Sequence, residues 1–183
     1  MSNKFKDKYR NTSIRARWVD YSDPQMYFIT ICTHSRVPFF GQIENNQVQL
    51  NHIGQLAKKE WLVTPELRPD MNITLDEFVV LPDHIHGIIN IGINGFNIIG
   101  SPMKRGNQKS FGPQSKNLAS IIRGYKSAVT TKTRKMGIVD FGWQVGYHEH
   151  IIRNREDYLR ISNYIKTNVE KHEFRNFKIW LNE

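Results

Sequence analysis

His84 and His86 are separated by one apolar residue, Ile85, within the run Leu-Pro-Asp-His-Ile-His-Gly-Ile-Ile. Side chains at i and i+2 of a strand leave from the same face, so two such imidazoles can reach one ion. The flanking segments are rich in β-branched residues, and facing imidazoles in that setting point to a divalent-metal site that does chemistry. A His-x-His pair is a weak signal alone, and the chain offers a rival in His148-Glu149-His150. His84 and His86 are the expected primary metal pair. His148, Glu149 and His150 are expected to contact nucleic acid, to orient the ligands or to form a structural hydrogen-bond cluster. A late helix contributes Tyr164 and Asn168, four residues apart and so on the same side one turn apart. Both fall at the edge of that helix's apolar stripe, where periodicity by itself favours a half-buried packing tyrosine.

The charge distribution narrows the partner. The formal net charge is +9, and residues 87–139 contain no Asp or Glu while carrying Lys104, Arg105, Lys109, Lys116, Arg123, Lys126, Lys132, Arg134 and Lys135. A second basic cluster comprises Lys4, Lys6, Lys8, Arg10, Arg15 and Arg17. Solvated surface charge explains most basic runs, but the acid-free length favours a polyanion track. The one cysteine, Cys32, excludes an internal disulfide and a cysteine-based zinc knuckle, and reads as a small buried hydrophobe on a strand. His34, His52 and His172 read as ordinary surface or core histidines. No apolar run nears the ~20 residues of a membrane span, and the N-terminal residues lack the apolar core of a signal peptide. The expectation is a soluble cytoplasmic protein with no membrane partner.

The elements that would position these groups follow from pattern. With 183 residues, 39% of them hydrophobic, the chain can bury one real core. Residues 27–33 read as a strand and 36–41 as a turn. Residues 53–63 read as a helix with Asn51 as N-cap. Strands over 73–81 and 84–91 join at Pro82-Asp83 and pair antiparallel. The Gly-, Asn-, Ser- and Lys-rich segment 92–117 reads as a flexible loop. Residues 118–135 form a helix with Leu118, Ile122, Tyr125 and Val129 inward and Arg123, Lys126 and Arg134 on a polar face. A strand over 141–152 and a helix over 155–172, with Tyr158, Ile161, Ile165 and Val169 inward, complete the order. The fold class is α+β: a ferredoxin-like β-α-β-β-α-β antiparallel sheet with helices on one face, plus a C-terminal helix carrying the tyrosine. It forms a single domain over 1–183, with a basic arm at 1–20 and a tail at 173–183.

Four blocks resemble a known family. Leu81-Pro-Asp-His84-Ile-His86-Gly-Ile-Ile resembles the HUH motif (U for a hydrophobic residue) of single-tyrosine transposases. Gly146-Tyr-His-Glu-His-Ile-Ile-Arg153 followed by Ile161-Ser-Asn-Tyr164-Ile-Lys-Thr-Asn168 resembles the C-terminal signature of the REP-associated tyrosine transposase branch, a group of IS200-like transposases. Residues 21–33 are similar to its opening strand and 121–128 to its basic helix. The resemblance spans residues 15–172.

The resemblance implies a metal-dependent, single-strand DNA strand transferase and nuclease. His84, His86 and Asn168 would hold Mg²⁺ or Mn²⁺, an oxygen donor suiting so hard an ion. Tyr164 would attack the scissile phosphorus, release a 3′-OH and retain the 5′ end as a phosphotyrosine ester. The substrate implied is single-stranded or hairpin DNA, an imperfect palindrome with a short flanking tetranucleotide. Arg15, Arg17, Lys116, Arg123, Lys126 and Arg134 are the expected DNA contacts, and the chain would act as a monomer or homodimer. Three features depart from the family pattern: Val169 where relatives often carry Pro, Asp83 where they often carry Asn, and a longer loop at 92–117. The alternatives are a replication- or conjugation-initiator nickase of the same chemistry, or a non-catalytic nucleic-acid-binding module on a ferredoxin-like sheet. No RNP-type motif supports the last.

Overall fold

The computed structural model describes residues 23–45, 47–98 and 115–168, together with the backbone of 4–5 and 9–10. In the arm, β1 (Lys4–Phe5) and β2 (Tyr9–Arg10) pair antiparallel. The rest is organised by β3 (Gln25–Cys32), whose alternation sends Tyr27, Ile29 and Ile31 into a buried core and Met26, Phe28, Thr30 and Cys32 to the opposite face. A hairpin follows, β4 (Gly41–Glu44) against β5 (Gln47–Leu50). Then come α1 (His52–Leu62), β6 (Ile73–Leu81), β7 (His84–Ile91), α2 (Leu118–Lys135), β8 (His148–Ile152) and α3 (Arg155–Lys166).

The main sheet runs β6-β7-β3-β8 and is antiparallel throughout. This is the ferredoxin-like order expected, in which the two central strands are first and third of the four. Asn51 caps α1, its Oδ1 accepting from Ile53 N at 2.9 Å and Gly54 N at 3.0 Å. Asn117 and Ser120 cap α2 reciprocally. The apolar stripes of these two helices cover one face of the sheet, with Trp61, Ile121, Tyr125 and Val129 packing on Tyr27, Ile29, Ile85 and Ile89. Trp61 reaches its place because Gly87 has no side chain: a Cβ there would lie 2.4 Å from the indole ring. α3 takes the other face, seating Ile161 and Ile165 on Ile88 of β7.

One expectation needs correction. The strand over 141–152 is only β8; residues 141–147 are a loop. Packing rather than pairing buries Phe141 and half-buries Trp143: Phe141 meets Phe39 and Phe40, Trp143 makes a single bridge to Thr33, and Gly146 turns at φ +77°. Of the segment read as a flexible loop, the described part at 92–98 is a turn in which Asn94 and Asn97 bond each other and the Gly92 carbonyl. After β3 the chain makes a 3₁₀ turn at His34–Arg36 and turns again at 39–40, within the turn read over 36–41. Residues 99–114, Val169, His172 and the tail lie outside the described residues. Among the described residues no helix is long and apolar enough to cross a membrane.

Candidate active site

β7 runs from the Pro82-Asp83 turn through the centre of the sheet, so its two histidines are held at fixed positions between neighbouring strands. In the pairing, Thr30 of β3 and Val79 of β6 flank His86, while Cys32 and Leu81 flank His84. Both imidazoles point to the α3 side, and both residues are 5% exposed. Their Nε2 atoms approach to 3.1 Å.

Each ring is oriented by an oxygen at its other nitrogen. His84 Nδ1 lies 2.6 Å from Asp83 Oδ1, and His86 Nδ1 lies 2.8 Å from Thr30 Oγ1. Phe28, one step along β3 on the same face, stacks on the His86 ring at 5.3 Å and meets Tyr164 edge-on at 6.0 Å.

α3 brings the phenol to this pair. Asn154 starts the helix by accepting from Asp157 N at 2.8 Å, and Ile161 and Ile165 fix its buried side. Lys166 reaches Glu77 of β6 at 2.7 Å, and His150 of β8 reaches Asp157 at 2.8 Å. Between these anchors Tyr164, half-buried, sets its hydroxyl 3.3 Å from His86 Nε2. Asn168, four residues on, is buried.

Donor chemistry and spacing both suit a divalent ion. An ionised carboxylate only accepts, so Asp83 draws a His84 proton to Nδ1, while the Thr30 hydroxyl can either donate to or accept from His86 Nδ1. The two Nε2 atoms face each other across 3.1 Å, a separation that calls for a proton or a cation between them. Two nitrogen donors each ~2.1 Å from one ion, at right angles, sit ~3.0 Å apart. Among the described residues no group of three or more His, Cys, Asp or Glu gathers. Asn168 carries an amide oxygen, a donor of the kind a hard divalent ion takes.

The remaining expected residues fall elsewhere. His148 lies on the same sheet face, opposite Thr30 in the β3–β8 pairing, and is exposed. His150 ties β8 to α3 through Asp157, and Glu149 faces the other way. Lys116 forms an ion pair with Asp70 and covers the Phe96 ring. Arg123 and Arg134 are exposed on α2, across the sheet from the histidines. Lys126 corrects the polar-face reading. Its ammonium donates to Gln144 O at 2.7 Å and Gly146 O at 2.5 Å and lies over the Trp143 ring; burial lowers its pKa to about 8. It pins the 144–146 loop. Arg15 and Arg17 lie outside the described residues.

Sequence reasoning missed two contributors. Thr30 becomes visible only once β3 is aligned with β7. Arg36, in the turn after β3, bonds Asp83 Oδ2 from Nε at 3.0 Å and Cys32 Sγ from Nη1 at 2.8 Å. Burial raises the Cys32 thiol pKa, and Arg36 opposes that rise, in keeping with a thiol that packs. The available signal for Arg36 was the acid immediately before the first histidine, a residue that also departs from the family pattern.

No family model matches the chain. An uncharacterized protein of Haemophilus influenzae is 38% identical over 161 residues, which is 87% of this chain and 88% of that protein. The solved structure of a REP-associated tyrosine transposase bound to a REP hairpin superposes with a TM-score of 0.54 at 22% identity, covering 90% of this chain and 76% of that one. A Deinococcus radiodurans chain with a provisional transposase designation, at TM-score 0.41 and 12% identity over 85% of this chain and 97% of its own, superposes too loosely to carry an argument. The chain thus has the fold of a transposase.

Proposed function

We infer that this chain belongs with the REP-associated tyrosine transposases its motifs resemble, and that it cleaves and rejoins single-stranded DNA at hairpin sites. One observation carries the reading: a phenol from the last described helix and two buried histidines from the central strand converge within one chain, hydroxyl to Nε2 at 3.3 Å. The transposase that shares the fold was captured on a REP hairpin, which makes a palindromic single strand the first substrate to try.

His84, His86 and Asn168 would hold a divalent ion, Mg²⁺ or Mn²⁺, which when bound supplies Lewis-acid polarisation of a phosphoryl oxygen. The protein's own groups do the rest. Asp83 and Thr30 hold the two imidazoles in orientation, and the Asp83 carboxylate also sets where His84 carries its proton. Phe28 backs both His86 and Tyr164, so the nucleophile and its neighbour keep their relative placement. Tyr164 Oη attacks phosphorus; the P–O3′ bond breaks, the 3′ oxygen leaves as a hydroxyl, and the 5′ phosphate stays on the tyrosine as an ester whose energy drives rejoining. Because the tyrosine stands at the helix edge, it needs a phosphodiester free to approach, which favours an unpaired strand.

The test is a denaturing gel of the protein incubated with Mn²⁺ and labelled single-stranded hairpin oligonucleotides. The expected result is label migrating with the protein, and none without metal. Tight hairpin binding with no adduct under any metal favours the non-catalytic binding module instead.

A further inference from the structure

The turn that follows β3 is built more expensively than a connection requires. Ser35 and Arg36 are consecutive non-glycine residues in the left-handed region, at φ +50° and +58°, where a Cβ is disfavoured. Hydrogen bonds hold this turn against the one that precedes β7: Thr33 N donates to Asp83 O at 2.9 Å, Thr33 Oγ1 to the same oxygen at 2.9 Å, and Phe40 N to Pro82 O at 2.9 Å. The result is that the Arg36 guanidinium meets the Asp83 carboxylate, itself 4% exposed, on the oxygen that His84 does not use.

We propose that Arg36 and Asp83 form a positioning relay that fixes the tautomer of His84. The proposal rests on the metal-dependent reading above. Arg36 anchors one carboxylate oxygen; the other accepts the His84 Nδ1 proton; His84 is left with its Nε2 lone pair aimed at His86. Neither Arg36 nor Asp83 acts on substrate directly. Arg36 also spans to Cys32 Sγ, which sets its second amine and prevents the guanidinium from swinging out to solvent.

The arrangement makes a directional prediction. In Asp83→Asn, Arg36 attracts the amide oxygen, so the amide NH₂ turns toward His84 Nδ1. Two donors cannot face each other, and His84 moves its proton to Nε2, which removes its lone pair from the metal position. Removing Arg36 as well frees the amide to present its oxygen to His84 again. Arg36→Met should therefore restore what Asp83→Asn loses, although Arg36→Met alone weakens Mn²⁺ binding.

The experiment combines two readouts on the full chain. Long-range proton–nitrogen correlation on the metal-free wild-type protein should show His84 protonated at Nδ1 with Nε2 unprotonated; a proton on Nε2 overturns the relay without any variant having to fold. Calorimetric Mn²⁺ titration should show Asp83→Asn weakened by roughly 10–100-fold, with hairpin binding retained and much of the loss recovered in Arg36→Met/Asp83→Asn. Unchanged affinity in Asp83→Asn, or a double variant weaker than the single, overturns it. Wild-type protein that binds no Mn²⁺ refutes the metal-dependent reading, and the nitrogen state of His84 still decides the relay.

Discussion

Replacing Tyr164 with Phe separates nucleophile from packing residue by magnitude. The hydroxyl lies 3.3 Å from His86 Nε2, longer than the 2.7–2.8 Å of a strong O–H hydrogen bond. Its loss costs at most about 1 kcal/mol, or roughly 2–4 °C in Tm for a chain of this size. The ring keeps its edge against Phe28 and its place beside Ile161 and Ile165, so folding and hairpin affinity should be close to wild type. Cleavage should fall by a factor on the order of 10³ or more, equivalent to about 4 kcal/mol of barrier, and the covalent adduct should vanish. Differential scanning calorimetry, hairpin binding at fixed salt and a denaturing adduct gel report the three quantities. Adduct formation by Tyr164→Phe refutes the nucleophile assignment. A Tm loss well beyond 4 °C together with lost hairpin binding shows a tyrosine that serves the fold.

His84→Ala should abolish measurable Mn²⁺ binding and reduce cleavage at least 100-fold, since one of the two oriented nitrogen donors is gone; calorimetry on the variant settles it. Arg123→Ala with Arg134→Ala should flatten the log–log salt dependence of hairpin binding by about 0.7–0.9 for each phosphate that is no longer neutralised, whereas Lys126→Ala should leave the slope alone because its ammonium serves the Gln144 and Gly146 carbonyls. Lys126 titrates near 8 in the folded chain against 10.5 for an ordinary lysine, so the unfolded chain binds that proton more tightly. Its contribution to stability is therefore lowest below pH 8 and rises toward pH 10.5; Tm measured against pH should show that rise in the wild type and lose it in Lys126→Met. Gly87→Ala places a methyl group 2.4 Å from the Trp61 ring and should cost about 1–3 kcal/mol by overpacking, read as a lower denaturation midpoint.

What the chain discloses before folding is whatever repeats with a regular period. α2 spans Leu118–Lys135 as its apolar stripe announces, and β6 and β7 span Ile73–Leu81 and His84–Ile91 as their β-branched runs announce. That His84 and His86 leave from one side was legible for the same reason, because parity on a strand fixes it, whereas Tyr164, which helix spacing alone assigned to packing, stood out only through the family resemblance. Meetings between distant segments were not. Phe141 and Trp143 look like strand residues but owe their burial to Phe39, Phe40 and Tyr125. Lys126 looks like surface charge, and only the return of the chain at 144–146 supplies the carbonyls that capture it. The hairpin of β4 and β5 has short, half-exposed strands whose alternation is too weak to stand out. Thr30 and Arg36 required the alignment of β3 against β7, which no local pattern encodes.

β7 serves two masters at once. Its odd-numbered isoleucines, Ile85, Ile89 and Ile91, are entirely enclosed on the helical side, while His84, His86 and Ile88 occupy the reverse. Slipping this strand by one residue would drive both imidazoles into hydrocarbon and push isoleucines beneath the phenol, so stability itself polices the reactive phase. The neighbouring β6 has no such strictness: an irregularity between Leu75 and Phe78 already absorbs one residue. Insertions and deletions should thus be tolerated at that outer kink and be ruinous between Asp83 and Ile89, where a single lost residue would disarm the protein and unfold it in the same stroke.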